Sequence, residues 1–301
     1  MMKIVVGTRG SNLALRQTNM VIDMIKEKHP GVEFEVKIIK TKGDIIKDVP
    51  IDKIGGKEIF VKEIERELLE GTIDMAVHSM KDMPGKLPEG LKLSPPPIRE
   101  DYRDVFVFRE GIKSIEELPK GAKIGTGSKR RKYQILKYRP DLNIVPIRGN
   151  VETRIRKIEE ENLDGVILAA AGIKRLGLDL DSRIFYINKE IMLPSPTQGI
   201  LAIEIRDKDE KVESILKGIY HRETEIQATV ERGFLTAVGG SCKVPVGCYC
   251  EVLEDKIIVE GLLGSEEGDI LIRKSIVEDI NEYKEAGEKL GQILMREMTS
   301  K

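Results

Sequence analysis

Short apolar runs alternate with helical stripes along most of the chain. Residues 3–6 form a β-rich run that ends in Gly7-Thr8-Arg9-Gly10-Ser11. Beyond it Leu13, Gln17, Met20, Val21, Met24 and Ile25 recur at helical spacing until Pro30-Gly31 stops the pattern. Residues 33–39 predict a second strand. Residues 57–70 predict a helix with Phe60, Ile64 and Leu68 on one stripe and Gly71 just past its end. Residues 73–77 predict a buried strand, with His78-Ser79-Met80-Lys81-Asp82-Met83-Pro84 as the loop at its carboxyl end. Pro95-Pro96-Pro97 interrupts regular structure. The pattern then resumes with a strand over 104–108, and Ser114-Ile115-Glu116-Glu117 is a capping box expected to open a short helix.

The opening theme returns about a hundred residues on: a strand at 122–124, the turn Gly125-Thr126-Gly127-Ser128, and a basic helix from Lys129. A strand at 143–147, a helix at 151–161 and a buried strand at 165–169 follow. This echo predicts an α/β fold of two related lobes with mainly parallel sheets covered on both faces. In such sheets ligands collect beyond the carboxyl ends of the strands. Pro194-Ser195-Pro196-Thr197-Gln198-Gly199 leads into a strand at 201–205, which should cross back to the first lobe. From about residue 210 the pattern becomes a helix through Ala237, a cysteine loop, three strands to about Val277 and a final helix from Glu282. The expected domains are therefore 1–97 with 197–215, 98–196, and a small α+β domain over 216–301.

Composition narrows the setting. With 40% hydrophobic but only 4% aromatic residues, the core must rest on Ile, Val and Leu. The longest apolar runs, such as 165–172, are too short to cross a bilayer, and the N-terminus reaches Arg9 without a secretory apolar stretch. A cytoplasmic protein with no membrane partner is expected. A net charge of -1 argues against nucleic acid as a partner. Cys242, Cys248 and Cys250 lie close together and read as thiols rather than a disulfide framework. They lack paired C-x-x-C elements, and His29, His78 and His221 are the only histidines, so no metal site is expected. The histidines show no partner pattern for a nucleophilic triad and are assigned structural roles. Gly125 to Ser128 lacks the Walker spacing.

The candidate chemistry is concentrated at turns. Arg9, Arg130, Arg131, Arg148, Arg154 and Arg175 fall in or just after strand-to-helix turns, where guanidinium groups and helix-start N–H groups can hold carboxylates. Ser11 and Ser128 are placed to cap helices or to donate to the same anions. The competing reading is solvated surface charge. Asp82 could relay protons or stabilise a developing cation, or merely cap its loop. Cys242, in Gly239-Gly240-Ser241-Cys242-Lys243-Val244-Pro245, could be a reactive thiolate beside Lys243 or an inert thiol.

Taken together, these segments resemble the hydroxymethylbilane synthase (porphobilinogen deaminase) family. The resemblance is carried by Gly7 to Leu15, Thr41-Lys42-Gly43-Asp44, Gly55-Gly56-Lys57-Glu58-Ile59-Phe60 and the Ala76 to Pro84 segment. It continues through Arg99-Glu100-Asp101-Tyr102-Arg103-Asp104, Ile147 to Arg154, Ala170 to Gly177, Pro196-Thr197-Gln198-Gly199 and the cysteine loop. It runs in order from residue 3 to about 252; beyond that only the general character matches. The resemblance implies stepwise condensation of four porphobilinogens with loss of ammonia on a dipyrromethane cofactor joined by a thioether to Cys242. It implies Asp82 as the general acid/base. It implies that Lys81, Ser128, Arg130, Arg131 and Arg154 hold the cofactor, and that Arg9, Ser11, Lys57, Phe60, Arg148, Arg175 and Gln198 meet the substrate. It also implies lobes of the periplasmic-binding-protein type and a monomer. Two positions depart from the pattern: Gly127 stands where serine is frequent, and Ser241 precedes the cysteine where glycine is usual. A solute-binding module would have no use for Asp82 or a cysteine domain; a different thiol-dependent transferase would use Cys242 as a turnover nucleophile.

Overall fold

The computed structural model describes residues 2–45, 61–180, 183–240 and 244–300. In chain order its elements are β1 (Met2–Thr8), α1 (Asn12–Lys28), β2 (Val32–Ile38), α2 (Lys42–Ile45), α3 (Lys62–Leu69), β3 (Met75–Ser79), β4 (Leu91–Ser94), β5 (Asp104–Phe108), β6 (Lys123–Gly125), α4 (Lys129–Tyr138), β7 (Asn143–Val145), α5 (Val151–Glu160), β8 (Gly165–Ala169), α6 (Ala170–Leu176), β9 (Ile184–Tyr186), β10 (Leu201–Arg206), α7 (Glu210–Leu216), α8 (Arg222–Ala237), β11 (Val246–Val252), β12 (Lys256–Gly264), β13 (Leu271–Asp279) and α9 (Tyr283–Thr299). Two compact units result: Met1–Glu100 with Ile200–Ala228, and Asp101–Gly199 with Thr229–Lys301.

The first unit is built on a sheet of order β2-β1-β3-β10-β4. β1 pairs in parallel with β2 and β3, while β10 runs antiparallel to both β3 and β4. Four strands therefore share one direction and β10 alone opposes them. Its central strands, β1, β3 and β10, are largely buried on both faces. Ile4, Val6, Met75, Val77 and Ile203 pack with Val21, Ile22 and Ile25 of α1, and Ala76 packs with Ile64 and Leu68 of α3 on the other side. Such two-sided burial is why these strands read as continuous apolar runs rather than alternating ones.

The second unit contains a sheet of order β7-β6-β8-β5-β9. β6 is parallel to β7 and β8, and β5 is antiparallel to β8 and β9. The same rule holds, with β5 as the single reversed strand. In both sheets the reversed strand is the first one made after the chain crosses over from the other unit. Each lobe thus has the α/β sheet of mainly co-directional strands expected from the sequence. In β5, Phe106 and Phe108 enter one core with Ile124 and Ile135, while Val105 and Val107 enter another with Ile147, Ile158 and Val166. Also within this unit, β11, β12 and β13 form an antiparallel sheet. A glycine lets the two helices of this region approach closely: a Cβ on Gly287 of α9 would collide with the backbone of Val230 and Phe234 in α8.

Several local expectations are corrected. Ser114 and Glu117 make the capping contacts, with Glu117 N–H donating to Ser114 Oγ at 3.4 Å and Lys113 N–H to Glu117 Oε2 at 2.8 Å. No helix follows, only turns. Pro119 disfavours helical backbone at Leu118, so the cap has nothing to propagate. The single helix expected to run through Ala237 is divided into α7 and α8 by a 3-10 turn at Lys217–Ile219. Of the helix expected over 57–70, the described part begins at Lys62 because Val61 has non-helical backbone angles. β4 and β9 were not evident from periodicity, because short edge strands acquire their identity by pairing.

Candidate active site

In the first unit, β1 and β3 lie side by side and in parallel, so the loops at their carboxyl ends share one edge of the sheet. Arg9 stands just beyond β1, half-buried. Ser11 caps α1, its Oγ accepting from Ala14 N–H at 3.3 Å. Beyond β3, Met80–Asp82 form one 3-10 turn. Met80 N–H donates to Ile200 O at 3.0 Å and Met83 N–H to Met80 O at 3.1 Å. Met80 and Met83 are both buried, packed with Val61, Ile200, Ala202 and Ala228. Lys81 and Asp82, between these two anchors, are half-buried. The turn thus presents an ammonium and a carboxylate from a backbone held at both ends. Gln17 of α1 further ties the strand end by donating to Ser79 Oγ at 2.9 Å.

In the second unit the candidate residues stand at the carboxyl ends of β6, β7 and β8. Ser128 caps α4, accepting from Arg131 N–H at 3.4 Å. Arg130 and Arg131 are buried rather than solvated, and both converge on the fully buried carboxylate of Asp104. Arg130 meets it at 2.6 Å and Arg131 at 2.8 Å. Arg130 also donates to Leu193 O and Arg131 to Ile167 O. Burial by itself would raise the Asp104 carboxyl, but the two guanidinium charges outweigh it and hold the group far below the usual carboxylate range. Gln198, fully buried, donates to Tyr102 O at 2.8 Å and to Asp104 Oδ1 at 3.0 Å. Arg175, buried on α6, donates to Gly199 O at 2.6 Å. Arg154 on α5 is half-buried and donates from Nε to Gly149 O at 2.8 Å; Arg148, on the turn before that helix, is exposed.

The turn that contains Gln198 is strained. Thr197 has a φ of 61°, unusual for a β-branched residue. It is held by the buried carboxylate of Glu231, which accepts from Thr197 N–H at 2.5 Å and from Cys250 N–H at 3.0 Å. Lys57, Phe60 and Cys242 lie outside the described residues. Cys248 and Cys250 are buried on β11.

The structure therefore gathers Arg9, Ser11, Lys81 and Asp82 on one sheet edge, and Ser128, Arg130, Arg131, Arg148, Arg154 and Arg175 on another. Sequence reasoning overlooked Asp104 and Glu231. The signal for Asp104 was an acid opening the otherwise apolar run Asp-Val-Phe-Val-Phe, an arrangement that needs a buried cationic partner. Among the described residues no group of acids, histidines and cysteines could hold a metal ion.

The family model described as porphobilinogen deaminase, dipyromethane cofactor binding domain, matches residues 4–214, and the model for the porphobilinogen deaminase C-terminal domain matches residues 226–298. The chain is 60% identical over 299 residues to a porphobilinogen deaminase of Clostridium novyi, covering 99% of this chain and 100% of that one. It is 56% identical to a porphobilinogen deaminase of Clostridioides difficile, covering 98% of each. Among solved structures it is similar to a putative methionine-binding lipoprotein from Bacillus subtilis, 11% identical with a TM-score of 0.45, over 74% of this chain and 92% of that one. This chain belongs to the porphobilinogen deaminase family.

Proposed function

We propose that this chain condenses four molecules of porphobilinogen head to tail, with loss of ammonia at each step, and frees the linear tetrapyrrole hydroxymethylbilane by hydrolysis. The observation that carries the reading is the Lys81-Asp82 turn, a half-buried carboxylate and ammonium aimed from a backbone anchored by Met80 and Met83.

The family's dipyrromethane group, bonded to Cys242, supplies a nucleophilic pyrrole carbon at the end of the growing chain. The donor chemistry fits such a ligand. Arg130 and Arg131 set two positive charges against the one of Asp104, leaving a net positive charge beneath the Ser128 turn. Arg148 and Arg154 add guanidinium groups beside the start of α5, and the N–H groups of a helix start favour carboxylates. In this reading Lys81, Ser128, Arg130, Arg131 and Arg154 hold the cofactor, while Arg9, Ser11, Lys57, Phe60, Arg148, Arg175 and Gln198 position the substrate.

Asp82 then has a definite task. As the C–N bond of the substrate's aminomethyl group breaks, its electron pair leaves with ammonia and the pyrrole becomes an azafulvenium cation. The Asp82 carboxylate lies against that positive charge and lowers the barrier to forming it. Asp82 would also take up the proton released once the new C–C bond has formed and return it to solvent. Lys81 and the arginines offset the two carboxylates that each added pyrrole brings.

The reading also includes a cytoplasmic monomer, with a third domain over 216–301 bearing the cofactor. Among the described residues no helix is long and apolar enough to cross a membrane. Intact-mass measurement of the purified chain tests the proposal: an addition of two pyrrole units on Cys242 and consumption of porphobilinogen are expected. A bare chain that stays bare after incubation with porphobilinogen overturns it.

A further inference from the structure

The buried face of the first sheet that packs against α3 carries two titratable groups that the mechanism leaves unused. His78 of β3 and Glu204 of β10 project to the same side, as do Ala76 and Ala202 on those strands. The side chain of His78 is 5% exposed and that of Glu204 not at all, and Nε2 lies 3.3 Å from Oε2. Among the described residues, neither oxygen of Glu204 nor Nε2 of His78 has a hydrogen-bond partner of good geometry. A second carboxylate, Glu65, is buried on the inner side of α3, which packs on β3 and β10. A carboxylate removed from water is costly unless a cation or donor answers it, and the imidazole is the group beside it.

The position of the pair gives it a consequence. His78 precedes Ser79, the last residue of β3, and the Met80–Asp82 turn begins at the next residue. Glu204 lies on β10, the strand that follows Ile200, whose carbonyl receives Met80 N–H. The contact thus joins the same two strands whose backbones hold the start of the Lys81-Asp82 turn. With His78 removed, the Glu204 carboxylate would have to recruit water or shift toward solvent, and either displaces the strand ends.

We propose that His78 is a positioning residue, which acts with Glu204 as a cross-strand clamp to set the aim of Lys81 and Asp82. The proposal rests on the role given to Asp82 above. It predicts a particular relation among His78→Leu, Glu204→Leu and the double variant H78L/E204L. Displacing a reacting group by about an ångström costs on the order of a hundred-fold in rate, so partial displacement in H78L should lower kcat roughly ten-fold or more. KM for porphobilinogen should stay within about two-fold, because neither His78 nor Glu204 is among the groups proposed to hold the substrate carboxylates. The adduct mass on Cys242 should match that of the parent. Because the damage comes from a buried group left without its partner, replacing both by apolar side chains should recover much of the lost kcat.

Steady-state kinetics well below the unfolding temperature, with intact mass and thermal unfolding of each variant, decide the matter. Normal kcat in H78L with only a lowered unfolding temperature would reduce the pair to a stability element and overturn the proposal. Losses that simply add in the double variant overturn it as well. If H78L fails to fold, the comparison of E204L with the double variant still reads the coupling, since rescue of E204L by the second substitution is required. A parent chain that turns over porphobilinogen alongside an equally fast H78L sinks the clamp alone; a parent without turnover or pyrrole adduct sinks the proposed function first.

Discussion

At the scale of single residues, the chain separates charges that act from charges that support. Asp82 is half-buried on a turn anchored from both sides, whereas Asp104 is enclosed by Arg130 and Arg131. Substituting Asp82 by Ala should leave the unfolding temperature nearly unchanged and reduce kcat by about a hundred-fold or more, the usual worth of a general acid/base. A near-normal rate would remove Asp82 from the chemistry. Asp101 provides a test through pH. Its carboxylate meets Arg103 at 2.7 Å and Lys174 at 3.1 Å. Burial alone would raise its pKa, but the contacts with Arg103 and Lys174 outweigh that and hold it at about 2. A group depressed in the folded state contributes stability above its unfolded pKa, and that contribution is lost as pH falls from about 4 through about 2. Asp101→Asn should therefore cost about 2 kcal/mol at neutral pH, and the gap to the parent in urea unfolding should shrink below about pH 3. A gap of equal size at both pH values would show that the ion pairs are not its source.

At the scale of elements, periodicity located most strands and helices, and caps decided several boundaries. Ser11 and Ser128 each accept from the backbone three residues on, as their place before a helical run predicts, and Asn150 does the same at the start of α5. The capping box at Ser114 shows the limit of that logic, because capping contacts formed there without a helix to cap. The helix–helix contact at Gly287 sets two effects against each other. Alanine is favoured over glycine in a helix by up to about 1 kcal/mol, yet a Cβ here meets the backbone of α8. Overpacking against backbone costs about 1–3 kcal/mol, so Gly287→Ala should lower stability in denaturant titration rather than raise it. A stabilised variant would mean that α8 and α9 can separate without penalty.

At the scale of the whole molecule, the two five-stranded sheets repeat one strand order with one reversed strand each, and candidate groups stand at the carboxyl ends of parallel strands in both. Cys242→Ala should fold, carry no pyrrole adduct by intact mass, and lose turnover; full turnover by this variant would refute the assignment of the thiol. Most of the alternation of strands and helices, the turns at their ends and the ordered motifs were legible from the amino-acid sequence alone, because they depend on neighbours a few residues apart. Which acid answers which arginine was not. Asp104 meets Arg130 and Arg131 only when β5 is inserted as the reversed strand, and His78 meets Glu204 only when the chain returns as β10. Local propensity can specify a strand or a cap, but the burial that forces a charge to find its partner exists only once distant segments close over it.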